Sequence, residues 1–135
     1  MKIELGQTYS YPFTISQEQV KAFAELSGDT NPIHLDSEYA KNTIFKKTII
    51  HGYLGSSVFS KVLGTMFPGE GTIYLSQNLK FHLPMHTANL YTADFLITEI
   101  LPEKHRAVVK TTIRLASDNT LITSGEALIQ NELFI

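Results

Sequence analysis

Asp29 and His34 stand five residues apart in SGDTNPIHLD, residues 27–36, with an amide and a proline between them. A carboxylate and an imidazole facing one space can hold a water molecule, one accepting its proton while the other orients it or supplies a proton. Free carboxylic acids and imidazoles titrate at about 3.9 and about 6.5, so an ionised acid coexists with a neutral or protonated imidazole near pH 7. That combination suits adding water across an activated double bond, or removing it. The same spacing also occurs where an Asp serves a turn after a helix and a His satisfies a backbone carbonyl, so the pair alone leaves both readings open.

The elements around the pair are expected to aim it. Pro32 fixes its own φ and keeps Asn31 out of the α region, so the chain must turn between Asp29 and His34. Gly28 can take φ > 0 and end the preceding helix sharply, exposing Asp29. That helix starts at Ser16, whose N-cap role is completed by Gln19 in a capping box, with Ile15 and Val20 at the positions of a hydrophobic staple. Val20, Phe23, Ala24 and Ser27 share one of its faces. A strand over Gln7–Phe13 precedes it, and Asp36 can cap a short helix, Ser37–Asn42.

A second stretch, TIIHGYLGSSVFSKVLG, residues 48–64, bears on carbonyl chemistry. Gly52 stands where a long helix, Gly52–Met66, begins, so its N–H is one of the donors left unpaired at a helix start and lies at the positive end of the dipole. Such a donor could stabilise an enolate oxygen forming on a thioester carbonyl, and glycine permits close approach. Packing alone also accounts for a glycine there. Gly52, Ser56, Ser60 and Gly64 form a stripe of small residues, and Leu54, Val58, Val62 and Met66 form a second stripe. With Lys61 its only charge, this helix is expected to be enclosed by other structure. Ser60 could add a hydroxyl to a cavity, with core packing its ordinary role. Pro68-Gly69 stops the helix.

From Thr72 the period becomes two: Ile73, Leu75, Leu79 and Phe81 alternate with Tyr74, Ser76, Asn78, Lys80 and His82. Leu90–Glu99, Val108–Leu115 and Thr120–Ile129 complete four strand candidates, expected to form an antiparallel meander. Helices first and strands afterwards give an α+β class, with the helix packed on the sheet.

The 135 residues suit one domain, 1–135, able to bury about two-thirds of the surface its unfolded chain exposes. A net charge of −2, with no basic run, gives no support to a nucleic-acid partner, and none is expected. The absence of cysteine excludes disulfides, thiolate catalysis and cysteine-ligated zinc. MKIELGQTYSYPF has no apolar run of signal-peptide length, and no stretch approaches the ~20 apolar residues that span a bilayer, so no membrane partner and a cytoplasmic location are expected. His34 and Asp36 mimic a ligand pair, with His51 near in sequence, but scattered His without Cys argues against a metal. His82, His86 and His105 read as exposed or strand-end residues, and Glu99 and Glu103 as solvated charge. Tyr39, Phe45 and Tyr53 could border an acyl pocket or fill core, with core the ordinary reading, and Ser56-Ser57 lacks the G-x-S-x-G spacing of a nucleophile elbow.

SGDTNPIHLDSEYAKNTIF, followed by IIHGYLGSSVFSKVLGTMFPGEGTIYLSQNLKFHLP, closely resembles the MaoC-like hydratases, specifically the (R)-specific enoyl-CoA hydratases. The match runs from Ser27 to Pro84. An S-G-D-x-N-P-x-H block ahead of an H-G-x-L helix start, then P-G and a Y-L-x-Q strand, is far more specific than a lone Asp–His pair. The resemblance implies a hot-dog fold, an antiparallel sheet wrapped around a long central helix, and reversible syn hydration of a trans-2-enoyl-CoA to the (R)-3-hydroxyacyl-CoA. Carried over by position, Asp29 and His34 are catalytic, Gly52 supplies the oxyanion donor, and Asn31 and Ser60 line the site. It implies an acyl-CoA thioester substrate, no cofactor or metal, and a homodimer with sheets joined side by side. One departure is that Pro84-Met85-His86-Thr87-Ala88-Asn89 stands where many relatives have Gly-Asp after the proline. Two rival readings are a hot-dog acyl-CoA thioesterase and a non-catalytic acyl-CoA-binding protein.

Overall fold

Ser16 starts the first helix with a reciprocal cap. Its Oγ accepts the Gln19 N–H at 3.1 Å, and Gln19 Oε1 accepts the Ser16 N–H at 2.9 Å. Ile15 and Val20 are both buried, as the staple requires. The computed structural model describes residues 2–135. Its elements are β1 (Thr8–Phe13), α1 (Gln17–Ser27), α2 (Pro32–Leu35), α3 (Ser37–Lys41), α4 (Gly52–Thr65), β2 (Ile73–Phe81), β3 (Tyr91–Leu101), β4 (Arg106–Leu115) and β5 (Leu121–Gln130), with a single 3₁₀ turn, Pro102–Lys104, between β3 and β4. The α+β class follows directly. No helix is long and apolar enough to cross a membrane.

All four pairings are antiparallel, in the order β1-β3-β4-β5-β2. The expected meander therefore holds only over β3–β5, and β2 crosses to the far side of β5. Alternation fixes which face a side chain takes but not which strand lies beside it. The pairing depends on Gly125 opposite Leu79, where a Cβ would lie 2.0 Å from the Asn78 carbonyl oxygen. A bulge between Tyr74 and Ser76 reverses the phase of β2, so Tyr74, Gln77 and Leu79 are half-buried while Ile73 and Leu75 are exposed. The single alternating phase read from the sequence is corrected there.

Phe59, Val62 and Leu63 of α4 are fully buried against strand residues such as Phe95 and Ile97, and Phe59 meets Phe95 edge-to-face with centroids 5.8 Å apart. The opposite face of α4 is open: Tyr53, Ser57, Ser60, Lys61 and Gly64 are exposed. The helix is thus covered on one side rather than enclosed, and the sheet is open, with β1 and β2 at its edges.

The segment before α4 is strapped down from both sides. The Ile49 N–H donates to the Ile33 carbonyl at 3.1 Å, and the Ile50 N–H to the Met85 carbonyl at 2.9 Å. The unusual 84–89 connection is itself anchored: Met85 is buried beside Gly55, and the His86 N–H donates to the Tyr91 hydroxyl at 2.8 Å. His86 Nδ1 reaches the Thr48 carbonyl at 3.1 Å and His105 Nδ1 reaches that of Ile135 at 2.6 Å. Both rings are half-buried tethers rather than exposed residues, with His105 immediately before β4 as the strand-end reading had it; His82 alone of the three is exposed.

Candidate active site

The turn that presents Asp29 is shaped by bonds a few residues long. Gly28 is left-handed at φ 81° and donates its N–H to the Ala24 carbonyl at 2.9 Å, closing α1. Ser27 Oγ accepts the Asp29 N–H at 3.1 Å, and Asp29 Oδ1 accepts the Asn31 N–H at 3.3 Å. Asn31 Oδ1 in turn accepts the Ile33 N–H at 3.2 Å, capping α2 with Pro32 at its first position. The expected bend is therefore one turn of helix, which the sequence reading took as loop.

His34 sits on that turn, its side chain 10 % exposed against 52 % for Asp29. Its Nδ1 lies 2.8 Å from the Ile49 carbonyl oxygen, which only accepts, so Nδ1 carries a proton. Nε2 is left facing the carboxylate, 3.9 Å from Asp29 Oδ2. This gap is too long for a direct hydrogen bond. Gln17 Nε2 donates to the His34 carbonyl at 3.0 Å, tying α2 to α1.

Gly52 is the first residue of α4, where an amide has no carbonyl one turn earlier. It shares a cavity of about 520 Å³ with Asp29, His34, Phe23 and Tyr53. A second cavity of about 460 Å³, bordered by Phe45, Ile50, Leu83 and Met85, also reaches Gly52 and Tyr53. A Cβ on Gly52 would lie 2.7 Å from Cε1 of Phe81, so glycine lets that ring close over the helix start. Tyr53 and Tyr39 are exposed and Phe45 half-buried, so these three are not core; Phe45 and Tyr53 border cavities instead. Asn31 belongs to the turn through its hydrogen bonds. Ser60 is exposed two turns along α4 and is not among the residues lining the cavity at Asp29 and His34.

His51, noted in the sequence only beside a dismissed metal-ligand pair, joins this cluster. It is 2 % exposed, its ring stacks on that of His34 with centroids 3.7 Å apart and planes 26° from parallel, and its Nε2 lies 2.9 Å from the Asp29 carbonyl oxygen. The available signal was its place: an imidazole just before a helix start, where a capping side chain is usual, and it makes no cap. Asp29, His34 and His51 each offer a ligand atom within 4.8 Å of the others. A metal needs both nitrogens to point at one ion about 2.0–2.1 Å away, in the plane of each ring. Two rings stacked face to face do not converge in that way. Asp36 is turned elsewhere, its Oδ1 accepting the N–H groups of Glu38 and Tyr39 at 3.0 and 3.1 Å to cap α3. The arrangement suits proton handling.

Comparison with known proteins places these residues in context. The sequence profile of the MaoC like domain matches residues 2–119. The chain is 41 % identical over 127 residues to an (R)-specific enoyl-CoA hydratase of Rhodospirillum rubrum, covering 94 % of this chain and 87 % of that protein. Among solved structures, an (R)-hydratase from Aeromonas caviae involved in PHA biosynthesis superposes with a TM-score of 0.91 at 38 % identity, covering 96 % of this chain and 97 % of the other. The unliganded R-hydratase PhaJ1 from Pseudomonas aeruginosa gives 0.89 at 36 % identity, covering 96 % and 82 %. The α+β fold is accordingly related to the hot-dog proteins.

Proposed function

The chain belongs to the MaoC-like domain family, and on that footing we propose that it is an (R)-specific enoyl-CoA hydratase, a hydro-lyase that interconverts trans-2-enoyl-CoA and (R)-3-hydroxyacyl-CoA by syn addition of water. The observation that carries the mechanism is the 3.9 Å separation of His34 Nε2 and Asp29 Oδ2 in a cavity that Gly52 also lines. A water 2.8 Å from both atoms would subtend ~90° at its oxygen, close to what two hydrogen bonds at one water favour. His34 Nδ1 is committed to the Ile49 carbonyl, so only Nε2 can exchange a proton with that water.

In this reading the thioester carbonyl accepts a hydrogen bond from the Gly52 N–H, which draws electron density from the alkene and makes C3 electrophilic. The water oxygen bonds to C3 while the Asp29–His34 pair takes one of its protons. The C2=C3 π electrons pass through the enolate and form the C2–H bond with a proton returned by the pair on the same face. The pair ends with the charge it began with, so no metal, cofactor or covalent intermediate enters the balance. Asn31 holds the turn, and the two cavities meeting at Gly52 and Tyr53 give the thioester its path.

Residues 1–135 act in this reading as one hydratase domain, its sheet curled round α4 in the hot-dog manner. We further take it to be a homodimer joined at the β2 edge. An edge strand carrying exposed Ile73, Leu75 and Phe81 is a hazard unless another surface covers it.

The test is a single assay of crotonyl-CoA with a thiol reagent present, followed by chiral analysis of the product. Loss of enoyl absorbance with no thiol released, yielding the (R)-alcohol, is expected. Thiol release would instead identify a thioesterase, and binding without product a non-catalytic protein.

A further inference from the structure

We propose that His51 is a positioning residue for the Asp29–His34 pair: held as the Nε2–H tautomer, it fixes Asp29 through the backbone and His34 through the ring face. What the pair does rests on the hydratase reading above; how His51 is held does not.

The tautomer follows from its partners. A carbonyl oxygen only accepts, so the 2.9 Å contact with the Asp29 carbonyl requires a proton on His51 Nε2. Nδ1 is then a bare acceptor, and among the described residues it is a buried side-chain nitrogen with no hydrogen-bond partner. The groups facing His51 are the His34 ring, the Phe23 ring edge-on at 4.8 Å, and Asp29.

The consequence is a division of labour between two imidazoles in contact. The separation of Asp29 Oδ2 from His34 Nε2 depends on where the Asp29 backbone sits and on the plane of the His34 ring. The Ile49 carbonyl holds one edge of that ring but leaves it free to pivot. The stacked face of His51 removes the pivot, and its N–H pins the Asp29 carbonyl. His51 Nε2 is committed to the Asp29 carbonyl, so of the two rings it is His34 whose Nε2 faces the carboxylate and the reacting water. A misplacement of an ångström at such a pair can cost about a hundredfold in rate.

Two variants separate the contributions. His51→Phe keeps a ring face and loses the donor; His51→Gln keeps an N–H for the Asp29 carbonyl and loses the face. Folded His51→Phe should lose kcat about ten- to hundredfold with KM within about threefold, and His51→Gln should recover part of that loss. A merely structural role would lower the melting temperature and the active fraction but leave kcat per active site unchanged. That result would overturn the proposal. Histidine side-chain ¹⁵N–¹H correlation spectra of the wild type give a second, activity-free readout. His51 should show the Nε2–H pattern, and an Nδ1–H pattern would overturn the proposal even if both variants failed to fold. A wild type without hydratase activity would sink the functional reading alone, with the spectra still deciding the tautomer.

Discussion

The turn carrying Asp29 closes its hydrogen bonds within a few residues, through Ser27, Asn31 and the helix caps on either side. Strand β2 takes its partners from far along the chain, pairs where Gly125 has no side chain to meet the Asn78 carbonyl, and leaves Ile73 and Leu75 facing outward around a bulge. The first region shapes its turn from within and takes only the Ile49 carbonyl and His51 from further along the chain; the second leaves apolar side chains exposed at a sheet edge. The contrast teaches that the chemistry is organised by short-range geometry, while its depth and covering come from long-range packing.

Four changes sharpen that contrast. Phe59→Ala removes a fully buried ring from the long-range core and should cost about 3–5 kcal/mol in denaturant unfolding. If the site is locally organised, KM of the remaining folded enzyme should stay close to wild type. Asn31→Ala strips the cap of α2 and should cost about 1 kcal/mol while lowering kcat, and Asn31→Ser, which can still cap, should restore most of both. Leu75→Lys, on the exposed side of the bulge, should change the stability of the chain itself by within about 0.5 kcal/mol, yet shift sedimentation from dimer to monomer. A dimer that survives the lysine would move the interface away from β2.

The fourth change is in pH. Burial pushes the Tyr74 hydroxyl from 10.0 up to about 12, and that hydroxyl donates to Gln77 Oε1. Folding keeps this phenol protonated, so its contribution is whole below pH 10, where the unfolded chain also keeps the proton, and fades as pH rises towards about 12. Tyr74→Phe should flatten that alkaline loss in urea titrations run from pH 9 upward.

Much of the turn was legible in the sequence because its signals are local. Ser16 with Gln19, Gly28 at the helix end, Pro32 after Asn31 and Asp36 before α3 each act on neighbours within four residues. The same reading overlooked α2, since a four-residue helix leaves no periodic trace. It also left His51 out of the site, because its bond to Asp29 and stack on His34 join segments that only the fold brings together. On α4, small residues suggested enclosure, yet Ser60 and Gly64 lie open, because a short side chain marks close packing and exposure alike. In β2 the bulge inverted the alternation at Leu75, which no count of apolar residues reveals.

The central claim is that Asp29 and His34 share the reacting water, and steady-state hydration of crotonyl-CoA by Asp29→Asn and His34→Ala tests it most directly. Each variant, folded with a melting temperature within a few degrees of wild type, should lose about a thousandfold in kcat, or about 4 kcal/mol of transition-state stabilisation. Turnover within a fewfold of wild type in both would contradict it.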